Sequence, residues 1–293
     1  MPNDTTNAQE LTREQVQAIL VRPLEARSVF LASGPRIFDV THSGRVRIPR
    51  LTGMTAPGWH GEGEQITEAE ASFDDVILLD GVASLKVITR YSNELARSSV
   101  VALDSALRDK LVTDVQAVLD TAFFAGDGAV NPANGLRAPV GLINYAGVQS
   151  LTGIGAINPD DILDAVGLLL AANVDPAKAR IFMRSNVFIA VRKLKDGQGR
   201  YLLQPDPTAD GVYRIHGVQV VVTNRLPQVA GASTVAVADM SQVAVARDMA
   251  PSVTVLRERY ADTDEQGIRV VARYDAAPLN PDAVVLLEGV TAA

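Results

Sequence analysis

The stretch from Phe73 to Gly128 constrains this chain most. A strand pattern over Phe73–Tyr91 feeds one solitary amphipathic helix, which stops at Phe124-Ala125-Gly126-Asp127-Gly128. Apolar residues fall at Leu103, Leu107, Leu111, Val115, Val118 and Ala122, in steps of three and four that place them on one helical face. Leu95, Val101, Val112 and Leu119 widen that stripe, whereas Asp104, Arg108, Asp109, Lys110, Asp114 and Asp120 are expected to face water. Ser98 or Ser99 can cap the start, and Gly126 and Gly128 supply the backbone freedom that ends it. A helix over Val100–Phe124 would be a rod of roughly 37 Å at 1.5 Å per residue. A compact enzyme rarely needs such a strut.

The segment before it does not read as a closed domain. Residues 1–7 are polar and a helix pattern over Thr12–Leu20 is interrupted by Pro23, so the start is expected to be an arm. Arg45–Arg50 alternates basic with apolar residues, and Pro49 confines it to a sheet edge or an extended ribbon. Thr52–Ile66 is rich in Gly and carries the only Trp, Trp59, beside His60 and Gly61, which is the turn chemistry of a mobile tip. The outward limb bears Arg36, Arg45, Arg47 and Arg50, and the return bears Glu62, Glu64, Glu68, Glu70, Asp74, Asp75 and Asp80. These charges can pair across one hairpin at roughly a few tenths of a kcal/mol each, or the surplus acids can meet arginines of a neighbouring subunit. The second reading is preferred, because such a hairpin has too little apolar surface to stand alone.

Beyond Gly128 a loop over Ala129–Asn144 gives way to a mixed α+β pattern. Asn158-Pro159-Asp160-Asp161 is a helix start with a cap, a first-turn Pro and two acids at the positive dipole end, and Ile162, Leu163, Val166 and Leu170 are its expected buried stripe. Arg180–Met183 reads as a strand, Ser185 as the cap of a helix to about Lys195, Val212–Thr223 as a hairpin or bent strand around Gly217, and Thr234–Ala246 as two short strands. Ser252–Tyr260 and Gly267–Tyr274 form a second long hairpin bearing Arg257, Arg259, Arg269 and Arg273, and Ala283–Glu288 is the last strand. The candidate interface residues are therefore Arg45, Arg47, Arg50, Trp59, Glu62, Glu64, Glu68 and Glu70 on the first hairpin and those four arginines on the second.

Composition narrows the function classes. With 293 residues and 47% apolar content the chain can bury a core unaided, and the absence of cysteine excludes disulfides, thiolate catalysis and cysteine-ligated metals. No apolar run approaches the roughly eighteen residues of a membrane helix, and no basic-plus-apolar leader opens the chain, so neither insertion nor leader-driven export is expected. A formal charge of -7 argues against avid nucleic-acid binding by the whole surface.

Chemistry is hard to place. Phosphate loops, dinucleotide fingerprints, nucleophile elbows and paired zinc histidines are all missing from the sequence. His42, His60 and His216 are scattered over extended or bent segments, and no metal site is expected from them. The acidic run from Asp262 lacks a Glu at the twelfth position of a calcium loop, where Arg273 stands, and Asp206 fails likewise with Gly217. Asp74-Asp75 lies on a strand and Asp160-Asp161 caps a helix, so neither is an acid/base dyad. No enzyme activity and no cofactor are expected.

Trp59-His60-Gly61-Glu62-Gly63, Phe73-Asp74-Asp75-Val76, Leu85-Lys86-Val87 leading to Ser92-Asn93-Glu94-Leu95, and Phe124–Gly128 followed by Pro139-Val140-Gly141-Leu142 occur in an order that resembles the major capsid proteins of tailed double-stranded DNA bacteriophages, with the Hong Kong 97-type fold. The resemblance spans nearly the whole chain. It implies an N-arm over 1–44, an extended E-loop over 45–84, a peripheral domain over 85–152 and 252–280 with the long helix as spine, and an axial domain over 153–251 and 281–293. It further implies pentamers and hexamers that close into an icosahedral virion head assembled in the host bacterial cytoplasm, filled with double-stranded DNA contacted weakly and without sequence specificity. A separate scaffolding protein, a portal and a decoration protein are the other partners it suggests. Relatives that weld their shells use a Lys on the E-loop; between Arg45 and Leu85 this chain has none, so no isopeptide cross-links are expected. An encapsulin nanocompartment, enclosing a cargo enzyme instead of DNA, is the rival reading within the same fold.

Overall fold

Two packed sheets, a separate ribbon and one long helix organise the described residues of the computed structural model, which are 28–40, 45–54, 59–63, 71–98, 103–133, 135–202, 213–256 and 258–291. In chain order the first strands are β1 (Arg36–Asp39), β2 (Val46–Met54), β3 (Ala71–Leu78), β4 (Leu85–Ser92), β5 (Gln149–Leu151), β6 (Gly155–Ala156) and β7 (Ala179–Met183). They are followed by β8 (Tyr213–Ile215), β9 (Val218–Val222), β10 (Gln228–Val229), β11 (Ala232–Asp239), β12 (Val243–Leu256), β13 (Glu265–Pro278) and β14 (Val284–Thr291). The helices are α1 (Val29–Ala32), α2 (Asn93–Ser98), α3 (Leu103–Ala125), α4 (Pro159–Ala171) and α5 (Ser185–Lys193).

The first sheet has the order β1-β12-β13-β4, with β1 parallel to β12 and the other pairs antiparallel. Its central hairpin is longer than the sequence pattern suggests, because β12 begins at Val243 and β13 runs on to Pro278. Val243-Ala244-Val245-Ala246 is buried on both faces, so the polar alternation that marks a half-exposed strand is missing there. The expected continuous strand from Phe73 to Tyr91 is instead two strands in different sheets. They are separated at Leu79 and Gly81, both with φ of 62°.

The second sheet has the order β5-β14-β11-β7-β9-β8, with β10 on β11 and β6 on β14. Its central strands are largely apolar on both faces. Ile181, Met183, Val235, Val237, Val285 and Leu287 meet α4 and α5, while Phe182, Ala236, Ala238, Val284 and Leu286 turn to the core shared with α3. Asn158 caps α4 in a reciprocal capping box with Asp161, as the sequence indicates. The buried stripe of α4 differs from the expectation: Ile162, Ala165 and Leu169 are covered, and Leu163 and Leu170 are exposed. The Leu168-Leu169-Leu170 run offers several equivalent faces, and packing on β14 selects one. Ser185 is the first residue of α5, flanked by Arg184, and its hydroxyl donates to Asn224 Oδ1 at 2.8 Å instead of capping.

Helix α3 has 23 residues, a length of about 34 Å at 1.5 Å per residue. Leu111, Val115, Leu119 and Phe123 pack with Val243, Val245, Ile268, Val270 and Tyr274 of the first sheet, and Phe124 reaches Phe182 of the second with ring centroids 5.1 Å apart. One apolar cluster thus joins the helix to both sheets. Two assignments within the helix are reversed. Val118 is 52% exposed, and Asp120, expected in water, is 1% exposed.

Candidate assembly surfaces

The burial of Asp120 follows from what it holds. Ser28 Oγ donates to Asp120 Oδ1 at 2.6 Å and the Val29 N–H donates to Oδ2 at 2.8 Å, so the carboxylate satisfies the free N-terminus of α1. Burial pushes the Asp120 carboxyl above the usual carboxylate value, against the opposing pull of the Ser28 hydroxyl and the Val29 and Phe30 N–H groups. Phe30, on the same turn, is fully buried between Phe123 and Phe124, with centroids 5.0 and 5.1 Å away. Burying such a ring stabilises by about 1.5–3 kcal/mol. Residues 28–40 of the expected arm are therefore part of the body, and β1 is clamped further by the Arg247–Asp39 pair, Nε to Oδ1 at 2.5 Å and Nη2 to Oδ2 at 2.9 Å. The helix pattern over Thr12–Leu20 lies outside the described residues.

A glycine contact closes the other end of α3. Gly126 and Gly141 meet backbone to backbone, with the Gly141 N–H donating to Gly126 O at 2.8 Å. A Cβ on Gly141 would stand 2.4 Å from Gly126 N and 2.6 Å from Ala125 N, and one on Gly126 would stand 2.3 Å from Pro139 O. Asn144 Nδ2 adds a bond to Gly126 O at 2.9 Å. The sequence marked this segment as a helix stop; its stricter requirement is that no side chain separate the two strands of backbone.

β2 and β3 form the projecting hairpin. Each strand is an edge, which accommodates Pro49 opposite Asp75. Its base is covered: Val76, Leu78 and Leu79 pack with Ala244, Ala246 and Ala277, and Val46 and Ile48 lie beside them. The turn out of β3 is wired to the first sheet through a buried ion pair. Asp275, 1% exposed, accepts the Leu79 N–H at 2.9 Å and Arg137 Nη2 at 3.0 Å, and Arg137 Nε donates to Asp80 O at 3.0 Å. The backbone of Arg137 exchanges bonds with Gly81 and Ala83 at 2.8 and 2.9 Å. Burial raises the Asp275 carboxyl, while Arg137 and the Leu79 and Ala276 N–H groups pull it down.

The expected interface residues divide into groups. Arg45 pairs with Asp80 at 2.8 Å and Arg47 with Asp75 at 3.6 Å, so part of the hairpin's charge is matched within it; pairs this exposed contribute about 0–1 kcal/mol. Arg50 stands opposite Asp74 in the ladder. Trp59 at the tip is fully exposed, with Glu62 exposed in the following turn. Glu64, Glu68, Glu70 and Arg257 lie outside the described residues. On the second hairpin, Arg273 binds Asp248 at 3.1 Å inside its own sheet, Arg259 stacks over Tyr260 at 5.5 Å, and exposed Arg269 donates to Thr254 Oγ1 at 3.2 Å.

Sequence reasoning placed a strand through β4 but named none of its residues among the interface candidates. Its Lys86, Ile88 and Arg90 are exposed on the same face as Arg269, which stands opposite Ile88, while Leu85, Val87 and Tyr91 turn toward the core. That face is basic and aliphatic, with Ile88 44% exposed. The period-two alternation of Leu85–Tyr91 carries the signal. Among the described residues no three His, Asp or Glu side chains gather in a metal-binding arrangement, and no helix is long and apolar enough to cross a membrane.

Comparison with known proteins gives this architecture its kin. The model of the phage capsid family matches residues 10–289. The chain belongs to the phage capsid family. A curated relative, the major capsid protein of Klebsiella oxytoca phage phiKO2, is 26% identical over 96% of this chain, which spans 65% of that relative's length. Among solved structures, the capsid of an empty GTA particle computed with C5 symmetry superposes with a TM-score of 0.75 at 18% identity, covering 99% of both chains. A chain from Microbacterium phage Oxtober96 gives 0.71 at 19% identity over 98% of each. The fold is the Hong Kong 97-type capsid fold. Within this family assignment, the long helix, the base-anchored hairpin and the glycine contact are the parts that position the exposed surfaces.

Proposed function

We propose that this chain is a major capsid protein that self-assembles as pentamers and hexamers into an icosahedral phage head enclosing double-stranded DNA. The observation that carries the reading is the β2–β3 hairpin, which is anchored at its base and presents Trp59 bare at its tip. A lone subunit gains nothing from holding such a ribbon out. In the shell, the hairpin's acid-rich return limb lies across the basic and aliphatic face of the first sheet on a neighbouring subunit, where Lys86, Arg90 and Arg269 supply the opposite charge. Heterologous contacts of this kind close into rings when the rotation allows. The chain supplies no catalytic group to this role. Assembly proceeds in the bacterial cytoplasm, with a separate scaffolding protein and a portal.

The test is assembly of the full chain followed by electron microscopy and a denaturing gel. Closed shells are expected from the parent. The Lys86→Glu/Arg269→Glu variant should lose them, and converting Glu62, Glu64 and Glu68 to Lys in that variant should restore them. Dissolved shells should run as one band at 31.1 kDa, because residues 45–84 hold no Lys to form an isopeptide. A parent that stays monomeric under every condition, or a ladder of welded bands, refutes the corresponding part.

A further inference from the structure

On the second sheet, away from the proposed contact surfaces, Gln219 of β9 stands opposite Arg214 of β8 on one side and Arg180 of β7 on the other. The three side chains form one row across neighbouring strands. Ile181, Ile215, Val218 and Val220, at the alternate positions, face the core beneath α4 and α5, so the row points to the opposite face. With strands about 4.8 Å apart, the two arginine backbones stand roughly 10 Å from one another. Lys178 joins them from the turn Pro176–Lys178. Together they line an open cleft of about 310 Å³, bounded across from them by Ser33, Gly34 and Ser241.

The charge here runs against that of the chain. The whole sequence carries -7, yet this cleft presents three cations, and among the described residues none of them forms an ion pair. The one acid in the lining, Asp239, is 3% exposed and is committed to its own turn, where Oδ1 accepts the Ser241 N–H at 2.9 Å. What faces solvent is rich in donors: two guanidiniums and an ammonium, which only donate, with the Gln219 amide and the Ser241 hydroxyl, which can donate as well as accept. Like charges ranged along one sheet face repel unless an anion covers them. The lining offers no exposed large apolar side chain to seat a peptide's own side chains.

We propose that this cleft holds backbone phosphates of double-stranded DNA, without reading sequence. The proposal rests on the reading of the chain as the shell of a DNA-filled head and names the surface that meets the contents. Phosphates present oxygens alone, which a lining dominated by cationic donors matches, and the two arginines can each fork onto a phosphate. The contact is weak, because three cations on an acidic protein neutralise few charges.

The experiment measures binding of a short fluorescent DNA duplex to the full chain by anisotropy across a salt series, with shell formation scored separately by microscopy. For three phosphate contacts, log K should fall against log salt with a slope of about -2.7. The Arg180→Gln/Arg214→Gln variant should flatten the slope by about 2, roughly one per lost contact, while still forming shells. Lys178→Gln, an exposed position, should flatten it by about 1 and serves if the double variant does not fold. An unchanged slope in these variants overturns the assignment, as does absence of duplex binding by the parent at low salt. Poly-glutamate bound by the parent as tightly as the duplex, and lost in the variants, also overturns it by making the occupant an acidic protein segment. Failure of the parent to form shells counts against the shell reading alone, because the salt slope judges the cleft independently.

Discussion

Replacing Gly141 with Ala should destabilise the subunit far more than one methyl group suggests. The added Cβ would lie 2.4 Å from Gly126 N, 2.6 Å from Ala125 N and 2.7 Å from Phe124 C, and all three atoms are backbone that no rotamer change can move aside. Relief requires the loop after Pro139 to back away from the end of α3, which costs about 1–3 kcal/mol as overpacking. The same movement strains the Gly141 N–H to Gly126 O bond, worth about 0.5–1.5 kcal/mol net. The expected total is therefore about 1.5–4.5 kcal/mol. Gly167→Ala is the matched control: Gly167 lies inside α4 with no atom within 4 Å of the added Cβ, and helix propensity should make that change stabilising by about 0.5–1 kcal/mol. Equilibrium denaturation of dissociated subunits, followed by far-UV circular dichroism, reads both. Equal effects of the two substitutions, or a loss below about 0.5 kcal/mol for Gly141→Ala, would show that the backbone contact is not what holds the helix end.

Two further perturbations probe the buried acids. Burial holds the Asp120 carboxyl above its ordinary value of 3.8, so the folded state binds its proton more tightly than the unfolded chain does. The stability of the parent relative to Asp120→Asn should accordingly fall as pH rises from 3.8 through the raised value and then level off; a difference that grows with pH over that window contradicts the assignment. Arg137→Met strands Asp275 without its cation and should cost about 3–5 kcal/mol at neutral pH, with hydrogen exchange at the Leu79 amide accelerating beyond that of the core strands. Unaltered exchange at Leu79 would separate the ion pair from the hairpin base.

The parts legible in the sequence were those whose local pattern and tertiary environment agree. The long helix, the capping box at Asn158 and the turn at His216-Gly217 each follow from short-range chemistry that the fold leaves intact. The failures have a common physical origin in contacts from distant segments. Asp120 reads as a solvent-facing acid until Ser28, 92 residues earlier, brings it an unsatisfied helix terminus. Val243–Ala246 reads as the end of a short strand and not as the start of the long β12, because both its faces are covered, by α3 on one side and the hairpin base on the other. The interface residues were located by charge and tip chemistry, which find Trp59 and Arg269 on open surface but give no warning that Arg273 is turned inward to Asp248. The basic row of Arg180 and Arg214 was invisible, since residues 34 apart in sequence are brought together only by strand order.

The apolar cluster that runs without interruption from Phe30 through α3 into both sheets sets the mechanics of the tile. Bending it would open contacts along the whole helix, so the body behaves as a single stiff plate. The proposed pentamers and hexamers would demand different curvature from identical copies. In such a shell the difference would fall on the parts outside that cluster, the ribbon beyond its anchored base among them, leaving the interior of every subunit alike.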